Sequence, residues 1–237
     1  MDALLSPTHV LLFVGLVLIL TAPVRAMRAA RSSPPRPWMV VGSVTSTAAL
    51  VGFFLNFAWG LGIAAFARVP YDPVTEAGEI QVIAGVASML VTTAVLFGAA
   101  QVVLGAGGAP LGAFTVLFGT VALLVSAAFD EDIEGVVAAV VAGFALDVLL
   151  RTRPVRRTGA TAAAFGLASA ALWVTYLGLL GALDGIAWQA EIWLGGALLN
   201  SLAAYVIAVM PSHADKAAPA EHGHHRREAL ASSQGRR

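Results

Sequence analysis

Two asparagines stand inside long apolar runs of this chain. Asn56 lies in...Gly52-Phe-Phe-Leu-Asn56-Phe-Ala-Trp59-Gly60, and Asn200 in Gly196-Ala-Leu-Leu-Asn200-Ser-Leu-Ala-Ala204. An amide among small residues at membrane depth faces another helix, because lipid penalises it. Two chemistries follow. The amides could form a small polar site between helices, with Trp59, Thr92, Thr93, Thr175 and Tyr176 as further lining. Alternatively they hold helices together, at about 0.6 kcal/mol per interhelical hydrogen bond.

The acidic residues make a second group. Asp130-Glu131-Asp132-Ile133-Glu134 forms a tight acidic turn, Glu79 and Glu191 each open an apolar run, and His9 opens the first. Carboxylate oxygens suit hard cations and an imidazole adds transition-metal affinity, so His9, Glu79, Asp130, Asp132 and Glu191 are a candidate metal set. The turn does not follow the calcium-loop pattern of alternating acids around a central glycine. The same acids also fit a solvated face, those at helix N-termini being favoured by the dipole. Asp147 is the one carboxylate well inside an apolar run, four residues before Arg151. That spacing predicts an interfacial ion pair on one helix face, with the arginine snorkelling outward. A proton relay would need a deeper partner, and the sequence offers none.

Several chemistries are excluded. The chain has no cysteine, hence no disulfide, thiolate metal site or cysteine nucleophile. The only histidine near an apolar run is His9, too few for a haem held between helices. The single lysine, Lys216, lies beyond the last run, where it cannot carry a Schiff base or serve an intramembrane serine nucleophile. His213, His222, His224 and His225 sit in a polar tail without the spacing of a structural zinc site. No phosphate loop or dinucleotide fingerprint occurs, and nothing indicates nucleic-acid binding. No cofactor and no catalytic constellation is expected.

The elements that position these residues follow from composition. Of 237 residues 58% are hydrophobic and 12% charged, with mean hydropathy +0.82. Soluble domains carry roughly 25% charged residues. Runs of about 20 apolar residues span a hydrocarbon core, and seven come out: 8–24, 38–66, 80–104, 110–129, 133–150, 160–183 and 190–210. Each must be helical, since lipid-facing backbone needs partners within its own segment. The expected fold is an all-α, polytopic membrane domain over 1–211, followed by a disordered cytoplasmic tail over 212–237. The first run begins Met1-Asp2-Ala3 and is followed, not preceded, by Arg25, Arg28, Arg31 and Arg36. Those flanks are the reverse of a secretory signal, so an uncleaved first span is expected.

Charge fixes the expected orientation. Arginines cluster between spans one and two, between five and six (Arg151, Arg153, Arg156, Arg157) and in the tail. Asp72, Glu76, Glu79, the 130–134 turn, Asp184 and Glu191 fall on the other side, with Arg68 the only base there. The positive-inside rule places the N-terminus outside and the C-terminus in the cytoplasm. Thirteen arginines against one lysine, with abundant alanine, point to a GC-rich bacterial genome and its plasma membrane.

Small residues at four-residue spacing, Gly135-Ala139-Gly143 in span five and Ala84-Ser88-Thr92 in span three, predict close helix packing. Seven spans also divide as three, one and three. Arginine-rich, proline-bearing loops join spans one and two and spans five and six, and Glu79-Ile80 echoes Glu191-Ile192. In helix count, orientation and this repeat the chain resembles the SWEET sugar transporters. It departs from them in having no proline inside spans two, three, five or six, so the resemblance implies no membership. The expected role is a structural or accessory component of a membrane complex, in contact with the bilayer and another membrane protein. The alternatives are a small-solute transporter or channel with a midplane site at Asn56 and Asn200, and an outer-face metal or ligand sensor.

Overall fold

The computed structural model describes residues 6–29, 36–62, 67, 76–106, 109–129, 133–152, 158–183 and 185–214. These form seven α-helices and no strand: α1 (Pro7–Ala29), α2 (Pro37–Phe54), α3 (Glu76–Gly105), α4 (Ala113–Phe129), α5 (Ile133–Thr152), α6 (Thr158–Leu183) and α7 (Ala190–Ala214). Six are long and apolar enough to cross a membrane; α4, at 17 residues, is shorter. The chain is an all-helical, multi-pass membrane protein with one helix for each apolar run. Residues 215–237, most of the expected tail, lie outside the described residues, while the helix itself continues to Ala214.

Local signals explain several ends. Pro37 opens α2, where its missing N–H is one of the donors a helix start leaves unpaired. Gly112 (φ +80°) precedes α4. Gly185 (φ +83°) follows α6 and donates its N–H to the Leu180 carbonyl at 2.9 Å. Both conformations are strained for a residue with a Cβ.

Six helices close a ring in the order α2–α4–α5–α6–α7–α3 and back to α2. α1 packs outside it, on α2, where the Ser43 hydroxyl donates to the Leu20 carbonyl. Only 6% of α1's apolar stretch is buried within the protein. The ring interior is filled by side chains. Phe97 of α3 meets Phe118 of α4 edge-on at 5.1 Å and Phe165 of α6 at 5.6 Å, and all three are fully buried. These rings plug the middle of the bundle.

The second span is the main departure from expectation. One helix over 38–66 is predicted by hydropathy, yet α2 stops at Phe54. The chain turns at Leu55 and continues as two short 3₁₀ turns, Asn56–Ala58 and Gly60–Gly62. The cause is a better partner than the next helical turn. The Gly60 N–H donates to the Thr92 hydroxyl on α3 at 2.6 Å. A Cβ on Gly60 would lie 2.7 Å from the Ser88 carbonyl oxygen and 2.8 Å from Met89 backbone atoms, so only glycine lets the turn dock there. Leu61 then rests on Gly135 of α5, where an added Cβ would be 3.0 Å from the Leu61 side chain. The broken segment thus reaches across the ring from α3 to α5. Non-helical backbone is tolerated where it is buried in protein, as Trp59, Gly60 and Leu61 are.

Candidate functional site

Asn200 is wholly buried and belongs to a hydrogen-bonded chain across three helices. The Trp173 indole N–H (α6) donates to the Thr93 hydroxyl (α3) at 2.9 Å. Thr93 in turn donates to Asn200 Oδ1 (α7) at 2.7 Å, and Asn200 Nδ2 donates to the Gly196 carbonyl at 2.8 Å. Gly196 leaves room for Met89, whose sulfur would be 3.3 Å from a Cβ there. Tyr176, also fully buried, meets Trp173 edge-on at 6.1 Å. The chain saturates the threonine, the indole and most of the amide, so the interactions here are spent within the protein.

Asn56 and Trp59 are elsewhere. They belong to the 3₁₀ segment, which lies on the Ser88–Thr92 face of α3, one residue round from Thr93. The midplane site predicted from Asn56 and Asn200 together is therefore divided between two places by adjacent threonines. Thr92 accepts from Gly60, and Thr93 bridges Trp173 and Asn200. Thr175 is half-buried and joins neither chain of hydrogen bonds. Trp59 is buried against Gly52 of α2, whose Cβ would lie 3.2 Å from the indole and 3.0 Å from Val125 of α4.

Asp147 has different partners from the predicted one. It is 5% exposed, and its carboxylate reaches the first turn of α4. Oδ2 accepts from the Thr115 N–H at 2.9 Å and from the Thr115 hydroxyl at 2.7 Å, and Oδ1 accepts from the Phe114 N–H at 3.4 Å. These N–H groups have no partner inside α4, and the helix dipole favours a negative charge at that end. Asp147 is thus an N-terminal cap supplied by a neighbouring helix. Arg151, exposed one turn further on, is not its ion-pair partner. The two residues instead line a recess of about 240 Å³ with Leu104, Ala109, Pro110, Phe114 and Leu150. A cap formed 33 residues away outweighs the local i,i+4 pair because it satisfies backbone donors that are otherwise buried.

Of the predicted metal set, Asp130 and Asp132 lie outside the described residues. His9, Glu79 and Glu191 are exposed, and His9 Nδ1 is 2.7 Å from the Ser6 hydroxyl. Among the described residues no three histidines or acids gather to hold a metal.

Sequence reasoning missed Trp173, Ser126 and Glu134. Their signal was present as register. Glu134, Ala138, Ala142 and Leu146 fall four apart on one fully inward face of α5, and Phe114, Phe118, Ala122 and Ser126 do so on α4. Glu134 was grouped with the solvated acids of its turn, whereas it is 9% exposed.

A groove of about 350 Å³ opens sideways between α1, α2 and α3. Its walls combine small residues, among them Ser43, Ala48, Ala94, Gly98 and Ala99, with several valines, and Arg25 stands at one end. A Cβ on Gly98 would meet nothing within 4 Å. Comparison with protein-family models, curated proteins and solved structures finds no match to this chain.

Proposed function

We propose that this protein is a membrane-embedded accessory component that receives a transmembrane helix of a partner protein in the groove between α1, α2 and α3. The observation that carries the reading is the open, small-residue wall of that groove. In lipid, helices associate where small residues let backbones approach, and Gly98, Ala94 and Ala48 provide such a wall. The small-residue faces picked out on α3 and α5 are used inside the bundle, by Gly60 on Ser88 and Met89 and by Leu61 on Gly135. Among the described residues α1 packs chiefly on α2, which lets the groove adapt to its occupant. The plugged interior favours this reading over conduction through the ring.

The membrane we assign is a bacterial plasma membrane, with the arginine-bearing loops in the cytoplasm and the N-terminus outside. The support is the sequence's charge segregation and its arginine-for-lysine bias.

The absence of native cysteine makes the test clean. Gly98→Cys and, as a lipid-facing control on α5, Val140→Cys are treated with a thiol-directed photo-cross-linker in native membranes. A discrete protein adduct at position 98 and none at 140 is expected. Cross-linking only to lipid, or equal adducts at both positions, overturns the reading.

A further inference from the structure

α1 carries Pro23 in its interior. Proline has no N–H, so the Ile19 carbonyl loses its helical donor and the ladder is interrupted there. Side chains donate to the carbonyls just before it. The Thr21 hydroxyl donates to the Val17 carbonyl at 2.7 Å, and the Arg25 guanidinium donates to the Leu18 carbonyl at 2.6 Å. Leu18 lies seven residues before Arg25, near the middle of the apolar stretch Pro7–Ala26. An arginine near the end of a span ordinarily turns outward to water. This one lies back along its own helix. Its charge stands about two helical turns inside the end of the stretch at Ala26, on the wall of the groove between α1, α2 and α3.

Nothing else in the groove answers that charge. The Ser43 hydroxyl donates to the Leu20 carbonyl and the Thr47 hydroxyl to the Ser43 carbonyl at 2.8 Å, so both are bound to backbone, as Thr21 is. The other lining residues are valine, alanine and glycine. Among the described residues no carboxylate lines the groove, and the guanidinium has no hydrogen-bond partner besides Leu18. One of its five N–H donors is engaged. Charged side chains inside spans pair with opposite charge or with carbonyls. An apolar groove with a single cation is complementary to an apolar helix with a single anion. A carboxylate matches the guanidinium fork. Depth selects a helix over a lipid headgroup: lipid phosphates lie at the interface, whereas a side chain can place its anion at the level of Leu18.

We propose that the transmembrane helix received in the groove carries an Asp or Glu within about two turns of the end of its span on the Arg25 side, and that this carboxylate pairs with Arg25. The inference rests on the groove reading and adds to it the chemistry of the partner.

The test uses the full-length protein in native membranes. In the Gly98→Cys background the yield of the cross-linked protein adduct is compared with and without a change at Arg25. Arg25→Gln is expected to lower it about tenfold or more, because the partner's carboxylate is left unpaired. Arg25→Lys restores most of it, and Arg151→Gln, outside the groove, leaves it unchanged. In a second arm, Arg25→Lys alone is treated with a membrane-permeant carbodiimide. The carbodiimide activates the carboxyl, the amine introduced at position 25 displaces it as the urea, and an amide joins the two chains. Peptide mapping is expected to find that amide at an Asp or Glu of the partner's span. This arm keeps the pairing testable if Arg25→Gln fails to fold. An adduct undiminished by Arg25→Gln, or a carbodiimide product with lipid or with no protein, overturns the pairing and leaves the groove reading standing. A missing adduct in Gly98→Cys itself removes the groove reading, and the pairing with it.

Discussion

Gly143 lies one helical turn before Asp147 on α5, and its missing side chain lets the Asp147 carboxylate reach the start of α4. A Cβ at position 143 would come within 2.7 Å of the Phe114 carbonyl carbon and of Thr115 Cα, the same two residues whose N–H groups Asp147 accepts. Close approach and capping are one device. Gly143→Ala is expected to cost about 1–3 kcal/mol by overpacking, and Asp147→Ala about 1–2 kcal/mol by loss of the cap. Once α4 is pushed away the cap has nothing to bind, so the double variant should cost clearly less than the sum. Reversible unfolding in mixed micelles measures this, and strict additivity contradicts it.

The break in the second helix makes its own prediction. Gly60→Ala sets a methyl against α3 backbone and should destabilise more than Gly98→Ala, whose Cβ meets nothing within 4 Å. Thr92→Val removes the acceptor of the Gly60 N–H and should cost about 1–2 kcal/mol, the price of an unpaired buried donor. If instead Gly60→Ala stabilises, as alanine does within a regular helix, the 3₁₀ turn is refuted.

Asn200 and Thr93 should behave as structural partners. A double-mutant cycle with Asn200→Leu and Thr93→Val is expected to give a coupling of about 0.6–1.7 kcal/mol, the range for hydrogen bonds between membrane helices. Zero coupling would remove the bond. Solute uptake into vesicles that falls in Asn200→Leu, at equal folded fraction, would instead restore a transport role for this amide.

Much of this architecture was legible in the sequence. The seven apolar runs gave seven helices because lipid leaves backbone polar groups no other local solution. The ends moved by only a few residues, as at Ala113 for α4. The break at Leu55 was not legible, because residues 55–62 are as apolar as a helix and their competitor, the Thr92 hydroxyl, belongs to another span. The order of the ring was hidden for the same reason: faces made of Ala, Gly and Val do not name their neighbours. Asn200 was singled out for its polarity at depth, and its burial follows. Its partner Trp173 was not, since an indole in an apolar run reads as filling. Asp147 was noticed and given the wrong partner, because sequence displays i,i+4 neighbours and hides backbone donors 33 residues away.

Orientation has a direct check. A C-terminal fusion to a fluorescent protein that matures only in the cytoplasm should be bright, and a fusion to a phosphatase active only outside should be silent. The reverse pattern contradicts the placement of the arginine loops.

Native mass spectrometry after gentle extraction tests the accessory role most directly, comparing the wild-type chain with Gly98→Trp. The groove account predicts a stoichiometric complex with another membrane protein, lost when the indole fills the groove while the chain stays folded. A wild-type chain that leaves the membrane with lipid alone, or a complex that Gly98→Trp leaves intact, contradicts it.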